Sequence, residues 1–185
     1  MIAYSFFGLY IIAIILLYLS TSKTRTLTMN VIACSTCGVY IYLTGSHAGV
    51  IACIAAALGS LFQLYAQRYL HSLSTKRLLF IKSVGCILFT VIGIWAVYQS
   101  PSDYYLVVAI IACRGGEILP REHQVKLGYV FAEVLWMHYA ADRLLIPLYS
   151  VHLCMTILGL IVIIRHYMKE LRQVPLNINN ESVLS

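Results

Sequence analysis

Apolar segments alternate with short polar turns along most of the chain. A helix needs about 20 apolar residues to cross the hydrocarbon core of a bilayer. The pattern predicts seven such segments, at about 2–20, 29–44, 48–66, 78–99, 104–113, 127–141 and 144–167. The expected fold class is therefore an all-α membrane protein with seven transmembrane helices, the first a retained helix and not a cleaved signal peptide.

The fifth segment is the shortest, because Arg114-Gly115-Gly116-Glu117 follows its apolar run directly. Either the helix ends near Cys113, or it continues through the two weak helix-forming glycines to Leu119, where Pro120 stops it. Whether this segment crosses the membrane completely or re-enters it stays open.

Two stretches of the chain share one layout, with an apolar run, a short polar turn and a second apolar run that ends in arginine. They are Met29–Arg68 and Lys126–Arg165, about one hundred residues apart. An internal duplication of this kind predicts two similar units. The expected division is a first three-helix bundle, a linker transmembrane helix, a second three-helix bundle and a disordered polar tail, at 1–68, 78–99, 101–168 and 169–185. Because the linker crosses the membrane, the two bundles are parallel repeats (3+1+3).

Composition supports the membrane class, since 61% of the residues are hydrophobic, 11% are charged and the mean hydropathy is +0.83. A soluble domain carries about 25% charged residues. The net charge of +6 does not indicate nucleic-acid binding, because excess Lys and Arg in a membrane protein reports topology. With the N-terminus outside and the C-terminus in the cytoplasm, every basic residue except Arg143 falls on the inner side.

The order and spacing of these segments resemble the SWEET and PQ-loop (MtN3) transporter superfamily, and within it the YgjV-type bacterial inner-membrane proteins. The similarity covers nearly all of residues 1–170. It rests on the turn Leu43–Gly49, on Ala112–Gly115 and on Ile164–Tyr167, whereas the Pro-Gln pair that names the PQ-loop is absent. The resemblance implies the 3+1+3 fold and transport, without specifying a solute.

Five polar side chains inside the predicted helices are candidate solute-binding groups: Asn30, Gln63, Glu133, His138 and His152. Glu133 is the strongest, because a carboxylate at membrane depth costs a few kcal/mol and usually faces a cavity or a partner. We expect Glu133 to face the interior near Asn30 or His152. Each histidine alone is also explained by hydrogen bonding between helices. The stripe that contains Asn30 is more typical of a helix-packing face of small residues than of a solute path.

The cysteines do not form a metal motif. Cys34 and Cys37 make a CxxC inside an apolar helix, with no second pair at zinc spacing, so no metal or cofactor site is predicted. His47 lies shortly before Cys53, as in membrane-embedded cysteine peptidases that process quorum peptides. However, only apolar residues flank Cys53, so the chain is not expected to be an enzyme.

The leading hypothesis is a multi-pass protein of the bacterial inner membrane that transports a small polar solute. Its expected partners are the lipid bilayer and that solute, with no nucleic acid, and homo-oligomerisation stays open. A non-transporting protein of membrane assembly is the alternative, and a membrane cysteine peptidase is a remote one.

Overall fold

The computed structural model describes residues 2–70, 72–98 and 101–181, with Ser102 and residues 171–181 described by their backbone alone. The described part contains helices and no strand. The helices are α1 (Ile2–Leu19), α2 (Lys23–Thr44), α3 (His47–Tyr69), α4 (Thr75–Val97), α5 (Tyr104–Ile118), α6 (Glu122–Asp142) and α7 (Ile146–Glu181), with one 3-10 turn at Pro101–Asp103 before α5.

Local chemistry explains where several of these helices begin and end. Ser22 caps α2 by accepting a hydrogen bond from the Arg25 N–H at 3.4 Å. Gly45 ends α2 at φ 92°, a left-handed conformation that glycine adopts without steric cost. Leu119 leaves the helical region at ψ 143° because the following residue, Pro120, disfavours it there.

Four helix boundaries differ from the predicted segments. α2 begins at Lys23, α4 at Thr75 and α6 at Glu122, each a few residues before its apolar run, and α3 continues to Tyr69. Polar residues at these ends form helix as readily as loop, because Lys, Arg, Gln and Glu all have good helix propensity. Hydropathy detects the part of a helix that suits lipid, so it misses such ends.

Two further differences concern helix length. α5 continues through Gly115 and Gly116 to Ile118, so the longer of the two predicted alternatives is correct. α7 extends to Glu181, past the expected start of a disordered tail at residue 169. Extending an existing helix needs no new nucleation, which is the costly step, and residues 169–173 are good helix formers. Residues 182–185 of the expected tail lie outside the described part.

The helices pack in two sequential groups. α2 packs against both α1 and α3, and α6 packs against both α5 and α7. α4 contacts α3 and α5, while direct contacts between the groups run from α3 to α5, from α1 to α7 and from α2 to α6. Apart from the contacts of α4, this pattern is unchanged when α1, α2 and α3 are exchanged for α5, α6 and α7.

Cross-helix hydrogen bonds define one end of the molecule, called here the basic end. Lys23 at the start of α2 donates to the carbonyls of Glu117 and Leu119 at 2.7 and 2.6 Å, where α5 ends. Lys126 near the start of α6 donates to the carbonyls of Tyr18 and Ser20 at 2.8 and 2.7 Å, where α1 ends. Each lysine therefore satisfies carbonyls that a helix leaves unpaired at its C-terminus.

The opposite end of the molecule is defined by two contacts between side chains of different helices or turns. The hydroxyls of Ser46 and Tyr139 hydrogen-bond at 2.6 Å, between the α2–α3 turn and the last turn of α6. Arg143 pairs with Asp103 at 3.0 Å, between the α6–α7 turn and the start of α5. Successive helices up to α3, and again α5 to α7, thus run in alternating directions between the two ends.

α5 and α6 approach each other at backbone distance. A Cβ atom added at Gly128 would lie 2.8 Å from the Ala112 carbonyl oxygen and 2.9 Å from the Gly116 Cα. Glycines at both positions permit this approach, as small residues do where membrane helices pack closely.

The outer surface of the bundle is apolar. On α4, Trp95, Phe80 and Ile87 are 85%, 68% and 63% exposed. Contiguous apolar exposure of this extent is rare on a soluble monomer. Among the described residues, five helices are long and apolar enough to cross a membrane: α1, α2, α3, α4 and α7 as far as Glu170. α5 is 15 residues long, and α6 carries Glu122, Lys126, Glu133 and Asp142.

Candidate functional site

A small cavity of about 50 Å³ lies between the two helix groups. Side chains from α1, α2, α3, α5, α6 and α7 line it, so every described helix except α4 contributes. Most of the lining is apolar or cysteine, and the polar exceptions are Tyr10, Asn30, Tyr129, Glu133 and His152. Such a mixture of apolar wall and few polar groups is typical of a small-molecule site.

A buried ion pair lies close to the cavity, toward the basic end. Arg114 and Glu117, one turn apart on α5, form two contacts: Nη1 to Oε2 at 2.6 Å and Nη2 to Oε1 at 2.8 Å. Both residues are at most 1% exposed. Gly59 on α3 makes room for the guanidinium, because an added Cβ there would collide with it.

Hydroxyl and amide groups complete this pair. Ser60 and Tyr129 donate to Glu117 Oε1 at 2.5 and 2.7 Å, and Asn30 donates from its amide to the Ser60 oxygen at 2.8 Å. Three helices, α3, α5 and α6, thus meet at one carboxylate, and α2 joins them through the Asn30–Ser60 hydrogen bond. We call Asn30, Ser60, Arg114, Glu117 and Tyr129 the arginine cluster. Two of its members, Asn30 and Tyr129, reach the cavity wall.

A second polar pair forms another part of the wall. The Nδ1 of His152 on α7 hydrogen-bonds to Oε2 of Glu133 on α6, and both side chains are buried. The indole of Trp136 stacks on the imidazole, with ring centroids 5.5 Å apart and planes 17° apart. His152 Nε2 is buried and has no partner among the described residues. This nitrogen can therefore bind a solute or a water in the cavity.

The arginine cluster and the Glu133–His152 pair lie at different depths along the helices. Glu133 lies nine residues before Asp142, the last residue of α6, which at 1.5 Å per residue is about 13 Å from the opposite end. Glu117 lies in the last turn of α5, at the basic end. The cavity is thus bordered by the arginine cluster toward the basic end and by the Glu133–His152 pair farther along the helices.

The structure brings three of the five sequence-predicted residues together: Asn30, Glu133 and His152 all line the cavity. Gln63 is 1% exposed, but it lies two turns beyond Ala56 toward the basic end, where its amide donates to the Lys82 carbonyl of α4 at 3.3 Å. His138 is exposed, bonds to the Val134 carbonyl at 2.8 Å and stacks on Tyr105. Neither Gln63 nor His138 lines the cavity.

Sequence reasoning missed the arginine cluster. From sequence, Arg114 is expected only as one of the basic residues on the inner side of the membrane, and Glu117 is assigned no role. Their spacing of three residues carried a signal, because it places opposite charges on one helix face. Tyr129 had no distinguishing signal, since tyrosines are common throughout this chain.

His47 and Cys53, the pair considered for a cysteine-peptidase site, line different cavities. Cys53 lines the central cavity, whereas His47 is exposed and lines a separate cavity near Asp103 and Arg143.

At the basic end, desolvation, together with the neighbouring His166, lowers the pKa of His123.

Comparison with known proteins adds no family assignment: no family model matches the chain, and neither the curated proteins nor the solved structures provide a match.

Proposed function

We propose that this chain is a multi-pass protein of the bacterial inner membrane that moves a small polar solute through its central cavity. The supporting observation is a buried cavity with the Glu133–His152 pair in its wall, inside a bundle whose outer surface is apolar. Ionisable groups are expensive to bury at membrane depth, and those present usually mark a substrate or ion pathway. The unpartnered Nε2 of His152 gives a solute its point of attachment.

The architecture proposed with this function is two parallel three-helix bundles joined by α4. Three observations support it. Apart from α4, the contact pattern is unchanged when the two groups are exchanged, and both groups run in alternating directions. Lys23 and Lys126 also make equivalent contacts with the other group. Repeats of this kind place the solute site at their interface. The proposal includes kinship with the SWEET and PQ-loop superfamily.

The cavity is small in this conformation. Its volume of about 50 Å³ accommodates a few water molecules, since each needs roughly 10–15 Å³. A larger solute therefore requires the two helix groups to separate at one end. The arginine cluster would close the path toward the basic end, and the Ser46–Tyr139 hydrogen bond would close it toward the opposite end.

The experiment is a thermal-shift screen of neutral sugars, amino acids and small amines on the detergent-purified protein. We expect at least one compound to raise the Tm of the parent, because a ligand that binds only the folded state stabilises it. Glu133→Gln should fold, but it should need at least a tenfold higher concentration of the compound for the same rise in Tm. Asp142→Asn is the matched control, since this exposed carboxylate on the same helix is remote from the cavity.

Two outcomes contradict transport through this cavity. If no compound stabilises the parent, the non-transporting assembly protein becomes the better explanation. If Glu133→Gln responds as the parent does, the solute binds elsewhere. We propose no enzymatic activity, because His47 and Cys53 line different cavities.

A further inference from the structure

Three potential metal ligands meet at the basic end, remote from the central cavity. His123 comes from the first turn of α6, and His166 and Glu170 come from adjacent turns of α7. Their ligand atoms all lie within 4.8 Å of one another. The two imidazoles stack with centroids 4.3 Å apart, and His166 Nε2 lies 3.2 Å from Glu170 Oε1.

The surroundings leave this cluster accessible. It borders an open cavity of about 340 Å³ together with Arg121, Glu122 and Lys126. The side chains of His166 and Glu170 are 43% and 44% exposed, so an ion from solution reaches the cluster from this side. The Nε2 atom of His166 is itself buried, and rotation of the ring exposes it. Lys126 is held by Glu122 and by carbonyls of the α1 C-terminus, which fixes its ammonium on partners outside the cluster.

The chemistry of the three groups selects a class of ion. Two imidazole nitrogens and one carboxylate oxygen suit zinc and neighbouring transition metals, whereas magnesium and calcium prefer oxygen ligands alone. Zinc bonds of about 2.0–2.2 Å bring its ligand atoms closer than 4.8 Å. The partly exposed side chains can make this adjustment by rotation.

We propose that His123, His166 and Glu170 form a binding site for a divalent transition metal of the zinc type, which ties α6 to α7 at the basic end. Residues four apart on one helix lie on the same face, so α7 contributes two ligands and α6 contributes the third. Water completes the coordination, as in zinc sites with three protein ligands. The site is independent of the solute pathway.

The test uses the full chain in detergent, with any histidine tag removed and bound metal stripped by a chelator. Co²⁺ is titrated as a spectroscopic probe, and Zn²⁺ is titrated by calorimetry. We expect one ion per chain, with affinity at least tenfold weaker in His123→Gln, His166→Gln and Glu170→Gln. His138→Gln is the matched control, because this exposed imidazole on α6 belongs to no such cluster.

A second measurement uses the parent protein alone, so it does not depend on whether the variants fold. Zn²⁺ should protect His123 and His166 of the parent from diethylpyrocarbonate, read by mass spectrometry, and leave His138 reactive. Absence of binding at one ion per chain overturns the proposal. Equal weakening by His138→Gln, or uniform protection of all three histidines, overturns it as well.

Discussion

At the scale of single residues, the Arg114–Glu117 pair shows how this chain tolerates full charges in its interior. A buried ion pair adds little net stability, because desolvation offsets the attraction between the charges. Here Ser60 and Tyr129 also donate to Oε1 of the carboxylate, while among the described residues Oε2 contacts the guanidinium alone. The pair therefore contributes more to the fixed arrangement of four helices than to the free energy of unfolding.

Removal of one charge should be far more damaging than removal of both. Arg114→Met leaves the Glu117 carboxylate buried without its cation, which should cost about 3–5 kcal/mol. The double variant Arg114→Met with Glu117→Met should recover most of that loss. The measurement is the apparent Tm in detergent, followed by circular dichroism.

Arg165→Met serves as the control for loss of a basic residue, because Arg165 is exposed on α7. It should change stability by no more than about 0.5 kcal/mol. A double variant as unstable as Arg114→Met alone would show that the guanidinium acts through packing against Gly59 and not through its charge.

At the scale of elements, the close contact between α5 and α6 depends on glycine, which has no side chain, at positions 116 and 128. Gly128→Ala should destabilise the protein by about 1–3 kcal/mol, because its Cβ would meet backbone atoms that cannot rotate away. Gly115→Ala is the matched control on α5, since an added Cβ there meets nothing within 4 Å. It should be neutral or stabilising by about 0.5–1 kcal/mol through helix propensity. Equal Tm values for the two variants would exclude a close approach of the helices.

The helix ends show why a hydropathy pattern locates elements better than their boundaries. Apolar runs identified the seven helices, but Lys23, Thr75 and Glu122 begin their helices outside those runs. The backbone hydrogen bonds of a helix do not require apolar side chains, whereas insertion into lipid does. Composition therefore reports the lipid-facing part of each helix and not its full length.

At the scale of the whole molecule, the distribution of basic residues predicts orientation. At the basic end, Lys23 and Lys126 each donate to carbonyls at the C-terminus of a helix in the other group. Basic residues favour the cytoplasmic side of a membrane. We therefore expect the basic end to face the cytoplasm, with the N-terminus outside.

Reporter fusions decide between five and seven crossings. A reporter active only outside the cytoplasm should work when fused after Tyr98 or Leu144 and be silent after Leu73 or Pro120. Pro120 is decisive, because α5 and α6 are the two helices without the length or composition of the other five. Activity after Pro120 would mean that α5 does not cross, and the seven-span arrangement would be wrong.

The sequence by itself determined the helical class, the approximate position of the seven described α-helices and the interior position of Glu133. Each of these follows from properties that act locally, namely hydropathy, helix propensity and the cost of a charge in an apolar segment. It also indicated two similar halves, because the same layout of runs and turns occurs twice.

Only the tertiary structure decided which polar groups meet. His152 and Glu133 lie 19 residues apart, and the Ser60–Glu117 contact spans 57 residues. Gln63, His138 and Glu133 are similar candidates in sequence, yet only Glu133 lines the cavity. The rotation of α6 about its axis decides this for His138, whereas depth along α3 decides it for Gln63, two turns from Ala56 in the cavity wall. Packing sets both through contacts between distant segments, such as Gly128 on Gly116 and Arg114 on Gly59.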